Sequence, residues 1–305
     1  MLKRILKSRL IKILFSGVLL YLVFRKIDLG SLLMEMRRVP WWFLLAMVLY
    51  GFLCALIGAL RWSLLLLKKP RFKDILFFTK IIYIGSFYSL FLSSSVGGDL
   101  VKWLPLLKKY PKLSKVKIAS SVLVDRIIGM SALVFGAFGA VLLGKFLKFD
   151  FPDYLFWLFL VLFVGVLGFY VLIWFFDLDN FFSRFSVLRK LSEVVDFLKN
   201  ENKKRIIYGF LISLFGVMIW NLPMWFYSLV FDAGIGLLPI YIFMPIISLI
   251  LILPVSVAGF GAREALFLYF FGKLGIESEK ILLVSTFTGV FGVLVALVGG
   301  VWGMV

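Results

Sequence analysis

Apolar runs of roughly membrane-crossing length, parted by short cationic connections, set the pattern of this chain. The runs cover about residues 10–24, 42–64, 118–144, 154–176, 208–231 and 281–303. A helix needs about 20 predominantly apolar residues to cross the hydrocarbon. None of the runs has the period-2 alternation of a barrel strand. The pattern predicts an all-α integral membrane protein with about six full transmembrane helices.

Two further apolar segments break. Residues 76–92 end at Ser93-Ser94-Ser95-Val96-Gly97-Gly98-Asp99, and residues 237–253 end at Pro254-Val255-Ser256-Val257-Ala258-Gly259-Phe260-Gly261. Glycine clusters and Pro254 favour turns over continued helix. Irregular backbone survives at membrane depth only where protein or a wet cavity satisfies its polar groups. The segments are expected to be re-entrant helical hairpins, about 76–107 and about 237–272.

Lys and Arg concentrate in cytoplasmic connections. With the N-terminus inside, Lys3, Arg4, Lys7, Arg9 and Lys12 and the basic stretches 65–75, 102–117 and 177–207 all fall on the cytoplasmic side. The outer segments hold Arg25, Lys26, Arg37, Arg38, Lys145, Lys148, Lys273 and Lys280. Both termini are then cytoplasmic, and the protein is expected to be multi-pass in an inner or plasma membrane. A signal peptide is the other reading of the basic N-terminus. The small residues of a cleavage site are missing at Phe24-Arg25-Lys26, which favours a retained first helix.

In this topology the first hairpin enters from the cytoplasm and the second from outside, an inverted arrangement found in many transporters. Ser95-Val96-Gly97-Gly98 is followed by Lys102, and Ser256-Val257-Ala258-Gly259 by Arg263, at the same spacing. The shared pattern, Ser-Val-small-Gly-x-x-x-basic, suggests an internal repeat. Residues 181–205 form no span. Leu188, Leu191, Val194, Val195 and Leu198 recur at helical spacing opposite Arg189, Lys190, Glu193 and Lys199. That is an amphipathic helix suited to the inner leaflet, or else a solvated linker helix.

Composition agrees with the pattern. Of 305 residues, 63% are hydrophobic and 16% charged, against about half and about a quarter in soluble domains. The formal net charge is +18. In a soluble protein this would suggest nucleic acid; here it fits loops facing anionic lipid headgroups, and no nucleic-acid partner is expected. There is one cysteine, Cys54, and no histidine. Neither an intramolecular disulfide nor a zinc or transition-metal site is expected, and no cofactor.

Charges inside spans cost at least about 2.5–3.5 kcal/mol each, so each needs a reason. The candidates are Arg61, Lys80, Asp99, Lys102, Asp125, Arg126, Arg263 and Glu264. Arg61 and Lys80 lie near span ends, from which they could snorkel. Asp99 could cap the second arm of the first hairpin, and Glu264 could serve as a first-turn anion in the second. The functional reading uses the same residues. A helix start at membrane depth points N–H groups into a cavity, and a nearby Lys or Arg makes an anion site. Adjacent helical residues diverge by about 100°, so Asp125 and Arg126 each need a partner on another helix, such as Asp99 or Glu264 for Arg126. Pro223 should kink its span and free a carbonyl, and Asn221 could line the same cavity. The candidate substrate-binding set is therefore Gly97, Gly98, Asp99, Lys102, Asp125, Arg126, Asn221, Ser256, Gly259, Gly261, Arg263 and Glu264, with no catalytic residue. No P-loop ending is present.

Ser95-Val96-Gly97-Gly98-Asp99, Asp125-Arg126 and the stretch from Leu253 to Glu264, with Arg61-Trp62, resemble the flippase-like transmembrane domain of lysylphosphatidylglycerol synthetases, across essentially the whole chain. The resemblance implies one flippase-like transmembrane domain over 1–305. In that family the synthetase members flip an aminoacylated phospholipid made by a separate cytosolic domain. This chain stops at Val305, so synthetase activity is not expected. The first motif departs from the family pattern in carrying serines before Gly97-Gly98 and Lys102 after it.

The expected function is movement or binding of an anionic, aminoacylated or polyprenyl-linked lipid between leaflets. Lys102, Arg126 and Arg263 would line a groove, and Asp99, Asp125 and Glu264 would position those cations or bind a cationic headgroup. Membrane lipids are the expected partners. The rivals are an accessory protein of lipid-linked glycan assembly, which would recruit a glycosyltransferase or lipid-modifying enzyme, and a lipid-phosphate enzyme using carboxylate bases. The topology is testable by cysteine labelling in a Cys54→Ala background. Residues in 102–117 should label from the cytoplasmic side and residues in 273–280 from outside; labelling of both from one side refutes the inverted hairpins.

Overall fold

The computed structural model describes residues 39–67, 69–92, 95–175, 197–199, 203–252 and 259–304, together with Met34, Arg37 and Val195. Nine helices make up the fold among them: α1 (Trp41–Leu66), α2 (Phe72–Leu92), α3 (Ser95–Lys109), α4 (Lys115–Phe146), α5 (Asp153–Phe175), α6 (Lys203–Val230), α7 (Leu237–Ile252), α8 (Ala262–Gly272) and α9 (Ser278–Met304). Five of them, α1, α4, α5, α6 and α9, are long and apolar enough to cross a membrane. They coincide with five of the six predicted spans. The run at 10–24 lies outside the described residues, as does most of the stretch 181–205.

The surface is that of a lipid-solvated protein. Helix α5 buries only Leu155, Phe159 and Ile173 and exposes Trp157, Val161, Val164, Leu167 and Leu172. Exposed apolar area this continuous would aggregate in water and is stable in hydrocarbon. Interiors combine large apolar side chains with small and hydroxylated ones, and the latter let helices approach closely. Helix α4 turns Ser120, Ser121, Ser131, Ala132, Ala137 and Ala140 inward. It starts on Ser114, whose hydroxyl accepts from the Lys117 N–H, one of the donors a helix start leaves orphaned.

The residues group into two compact units. The first comprises the chain up to Leu53, Tyr83–Val101 and Trp220 onward. Its centre is aromatic: Tyr227 meets Phe43 edge-on at 6.1 Å and Phe287 at 5.0 Å. Helices α7 and α8 pack through Phe243, which stacks on Phe270 at 5.4 Å and meets Phe271 edge-on. Among the described residues these helices hold 16 and 11 residues, about 24 and 16 Å of helix.

The second unit comprises Cys54–Ile82 and Lys102–Ile219. One core joins Trp62, Phe78, Ile81, Leu106 and Ile118, and another joins Leu65, Val124, Ile128 and Ile173 with Val195, Phe197 and Leu198. The apolar residues Val195 and Leu198, expected to face the leaflet, are thus turned into protein. A neighbouring apolar helix surface competes with lipid for the same face, and here it wins.

Of the break predicted over 93–99, residues 93 and 94 lie outside the described residues and the rest is helical. Helix α3 has already begun at Ser95, so Gly97, Gly98 and Asp99 lie in its opening turns. A Cβ on Gly98 would collide with the Gly85 carbonyl and the Ser89 hydroxyl on α2, so this glycine lets the two arms touch backbone to backbone. The base of the same hairpin is tied by polar groups. Tyr110 donates to Asp74 Oδ1 at 2.7 Å, the Arg71 N–H donates to Oδ2 at 3.0 Å, and Lys109 approaches Oδ1 at 3.7 Å while lying 3.8 Å over the Phe77 ring.

The Tyr110 hydroxyl, with the Arg71 N–H and the Lys109 charge, holds the Asp74 carboxyl below its ordinary value against the opposing effect of burial. A depressed carboxyl stabilises the fold above its unfolded value, about 4, and that contribution disappears as pH falls through the folded value. Tyr110→Phe should therefore cost about 1–2 kcal/mol at pH 7. The gap in melting temperature from wild type should close below about pH 4. A gap that stays constant with pH would contradict the tie.

Candidate functional site

The turn of the second hairpin is built by glycine. Gly259 and Gly261 have φ of 81° and 82°, a region closed to most side chains. The chain turns there and Ala262 opens α8 with Gly261 as its N-cap. The Arg263 N–H donates to the Gly259 carbonyl at 2.8 Å. Glu264, only 1% exposed, folds back so that Oε2 accepts from the Gly261 N–H at 2.6 Å, while Oε1 receives the Ser285 hydroxyl at 3.5 Å. The carboxylate thus supplies the anion that a helix N-terminus favours, and the first-turn role expected of it holds.

The Arg263 side chain runs from α8 towards α9. Its guanidinium lies 5.5 Å from the centre of the Phe260 ring and against the bare backbone of Gly259 and Gly289. A planar, weakly hydrated cation is suited to such a slot. The first unit therefore holds a cation and a capped carboxylate side by side at a helix start.

A second charged group lies on α1 and α4 in the other unit. Arg61 forks onto Asp125, Nε to Oδ1 at 2.6 Å and Nη2 to Oδ2 at 2.7 Å, and Nη1 donates to the Ser213 hydroxyl at 3.2 Å. The side chains are 20% and 18% exposed. Gly129, one turn beyond Asp125 on α4, leaves room for the guanidinium. Next to Arg61, the Trp62 indole donates to Ser121 at 3.2 Å. Arg61 is therefore an interior ligand for Asp125, not a snorkelling residue, and Asp125 finds the inter-helix partner it needs.

Of the predicted site residues, Gly98, Asp99, Gly259, Gly261, Arg263 and Glu264 belong to the first unit, with Gly97 and buried Asn221. Lys102, Asp125 and Arg126 belong to the second. Ser256 lies outside the described residues. Helix α6 continues past Pro223. Sequence reasoning left Arg61, Ser213, Ser285 and Gly289 out of the site. For Arg61 a signal existed, since Asp125 required a cation from another helix.

These features define a multi-pass helical membrane protein that keeps ionised groups inside its helix packing. Residues 9–300 match the family model described as the lysylphosphatidylglycerol synthase TM region, and the chain belongs to that family. Membership makes it a membrane protein linked to lipid handling. Neither curated proteins nor solved structures yield a match.

Removing one member of a buried ion pair strands the other, at a cost of about 3–5 kcal/mol, less where water reaches it. Arg61→Met or Asp125→Leu alone should each destabilise the protein by about 2–3 kcal/mol. The pair Arg61→Met with Asp125→Leu should recover much of that loss. Thermal unfolding in detergent reads both; losses that simply add in the double variant would show that the two residues do not act as a pair.

Proposed function

We propose that this protein moves anionic lipid between leaflets of a cell membrane, with both termini cytoplasmic and α7–α8 re-entering the bilayer. The observation that carries the reading is the turn at Gly259–Gly261, where a short helix begins on a buried carboxylate and sets an arginine beside it. In a family tied to lipid handling, a cation at a helix start suits a phosphate that must leave water briefly.

The carboxylates sharpen the reading. Glu264 is occupied by the Gly261 N–H and Ser285, and Asp125 by Arg61. Neither of these two is offered to an ammonium headgroup, which favours recognition through the lipid phosphate, with acyl chains left in the bilayer. The role is transport, with no covalent step.

The test is translocation of a fluorescent phosphatidylglycerol in proteoliposomes, read by quenching from outside. Arg263→Lys keeps the charge and loses the planar fork. It should leave expression and melting temperature near wild type and slow translocation about tenfold, the worth of one charge-assisted hydrogen bond. Wild-type rates in both Arg263→Lys and Arg263→Ala would remove the arginine from the pathway.

A further inference from the structure

Helix α9 carries a glycine whose presence its own backbone does not explain. Gly289 is buried within Ser278–Met304, and its φ is not in the left-handed region. Glycine inside a helix is about 1 kcal/mol worse than alanine, so something else retains it. A Cβ placed there would strike Nη1 of Arg263 and come within 3.2 Å of both Arg263 Cζ and Phe260 Cε1. The space a methyl group would take is held by the guanidinium.

Two other tight glycines differ in kind. A Cβ on Gly98 meets the Gly85 carbonyl, and one on Gly299 meets the Tyr83 carbonyl. Those glycines serve backbone contact between helices, where nothing can give way. At Gly289 the atom in the way is the tip of a flexible side chain, which can swing aside and leave the helices in place. Gly259 also faces the guanidinium, with Nη2 2.8 Å from its added Cβ, but its φ of 81° makes any substitution strained on other grounds.

We infer that Gly289 is a positioning residue for Arg263: its missing side chain forms one wall of the slot that aims the guanidinium. The inference rests on the proposed role of Arg263 in lipid movement and adds the residue that sets its geometry. It acts from a different helix, so displacement of α9 relative to α8 would move the cation.

The experiment compares Gly289→Ala, Arg263→Lys, their combination and Gly292→Ala. Gly292 lies on the same helix with nothing within 4 Å of an added Cβ. Melting temperature in detergent and translocation of fluorescent phosphatidylglycerol are measured for each. Gly292→Ala should leave both at or above wild type. Gly289→Ala should slow translocation about as much as Arg263→Lys, about tenfold. The combination should be no slower than Arg263→Lys alone, because lysine ends about where Cζ stands and lacks the obstructing atom. Losses that multiply in the combination, or a wild-type rate in Gly289→Ala, overturn the inference.

Thermal coupling separates this inference from the function on which it rests. If wild-type vesicles move lipid no faster than protein-free ones, the transport reading fails, and melting temperature decides the position of Gly289. A drop on Gly289→Ala that is absent in the Arg263→Lys background supports the slot. A shift on Gly289→Ala more favourable in the Arg263→Lys background than in wild type also supports it, and equal shifts in both backgrounds overturn it. Should Gly289→Ala fail to fold, rescue of folding by Arg263→Lys supports the slot and failure of rescue overturns it.

Discussion

An ionised group surrounded by hydrocarbon must find its counter-charge or its hydrogen bonds within the fold. That constraint accounts for the main polar features of this membrane protein. Arg61 and Asp125 satisfy it by a two-pronged bond between α1 and α4, with Ser213 taking the remaining guanidinium nitrogen. Glu264 satisfies it differently, by closing onto the N–H of its own N-cap residue and receiving Ser285. The Glu264 partners, a backbone N–H and a serine, have few rotamers to lose, whereas fixing Arg61 gives up the freedom of a long side chain that its two-pronged bond must offset. The helices then approach closely because Gly98, Gly129, Gly289 and Gly299 stand where bulkier residues would collide or crowd.

The same constraint explains which parts of the fold were legible in the sequence. Long apolar runs have one stable form in lipid, a helix with its backbone bonds satisfied internally. Their positions at 42–64, 118–144, 154–176, 208–231 and 281–303 accordingly matched helices within a few residues. Glycine at 259 and 261 was legible too, because positive φ leaves few other choices. The identity of charge partners was not. Sequence shows that Asp125 needs a cation, but Arg61 stands 64 residues away, and only the packing of α1 on α4 brings it there.

The amphipathic stretch near 195–198 illustrates a different limit. Its period separates an apolar face from a charged one, but it cannot say whether the apolar face meets lipid or protein. Leu65, Ile128 and Ile173 happen to present a matching apolar surface, and Val195 and Leu198 bury against it. Periodicity specifies that a face is hidden; the neighbouring elements specify what hides it.

The two glycine motifs carry this argument furthest. Ser95-Val96-Gly97-Gly98 and Ser256-Val257-Ala258-Gly259 align in sequence, each with a basic residue at equal spacing. Gly98 nevertheless sits in helix, pressed on the Gly85 carbonyl, while Gly259 sits in a turn at φ 81°. Equivalent letters therefore serve unequal backbones. Glycine has two separable properties, freedom of φ and absence of a side chain. The first hairpin uses absence and the second uses freedom, and each relieves a different crowding problem at the same point of the aligned motif. Whatever common origin the hairpins have, their present geometry follows local need: close helix contact in one, and in the other a turn tight enough to begin α8 on Glu264 with Arg263 beside it.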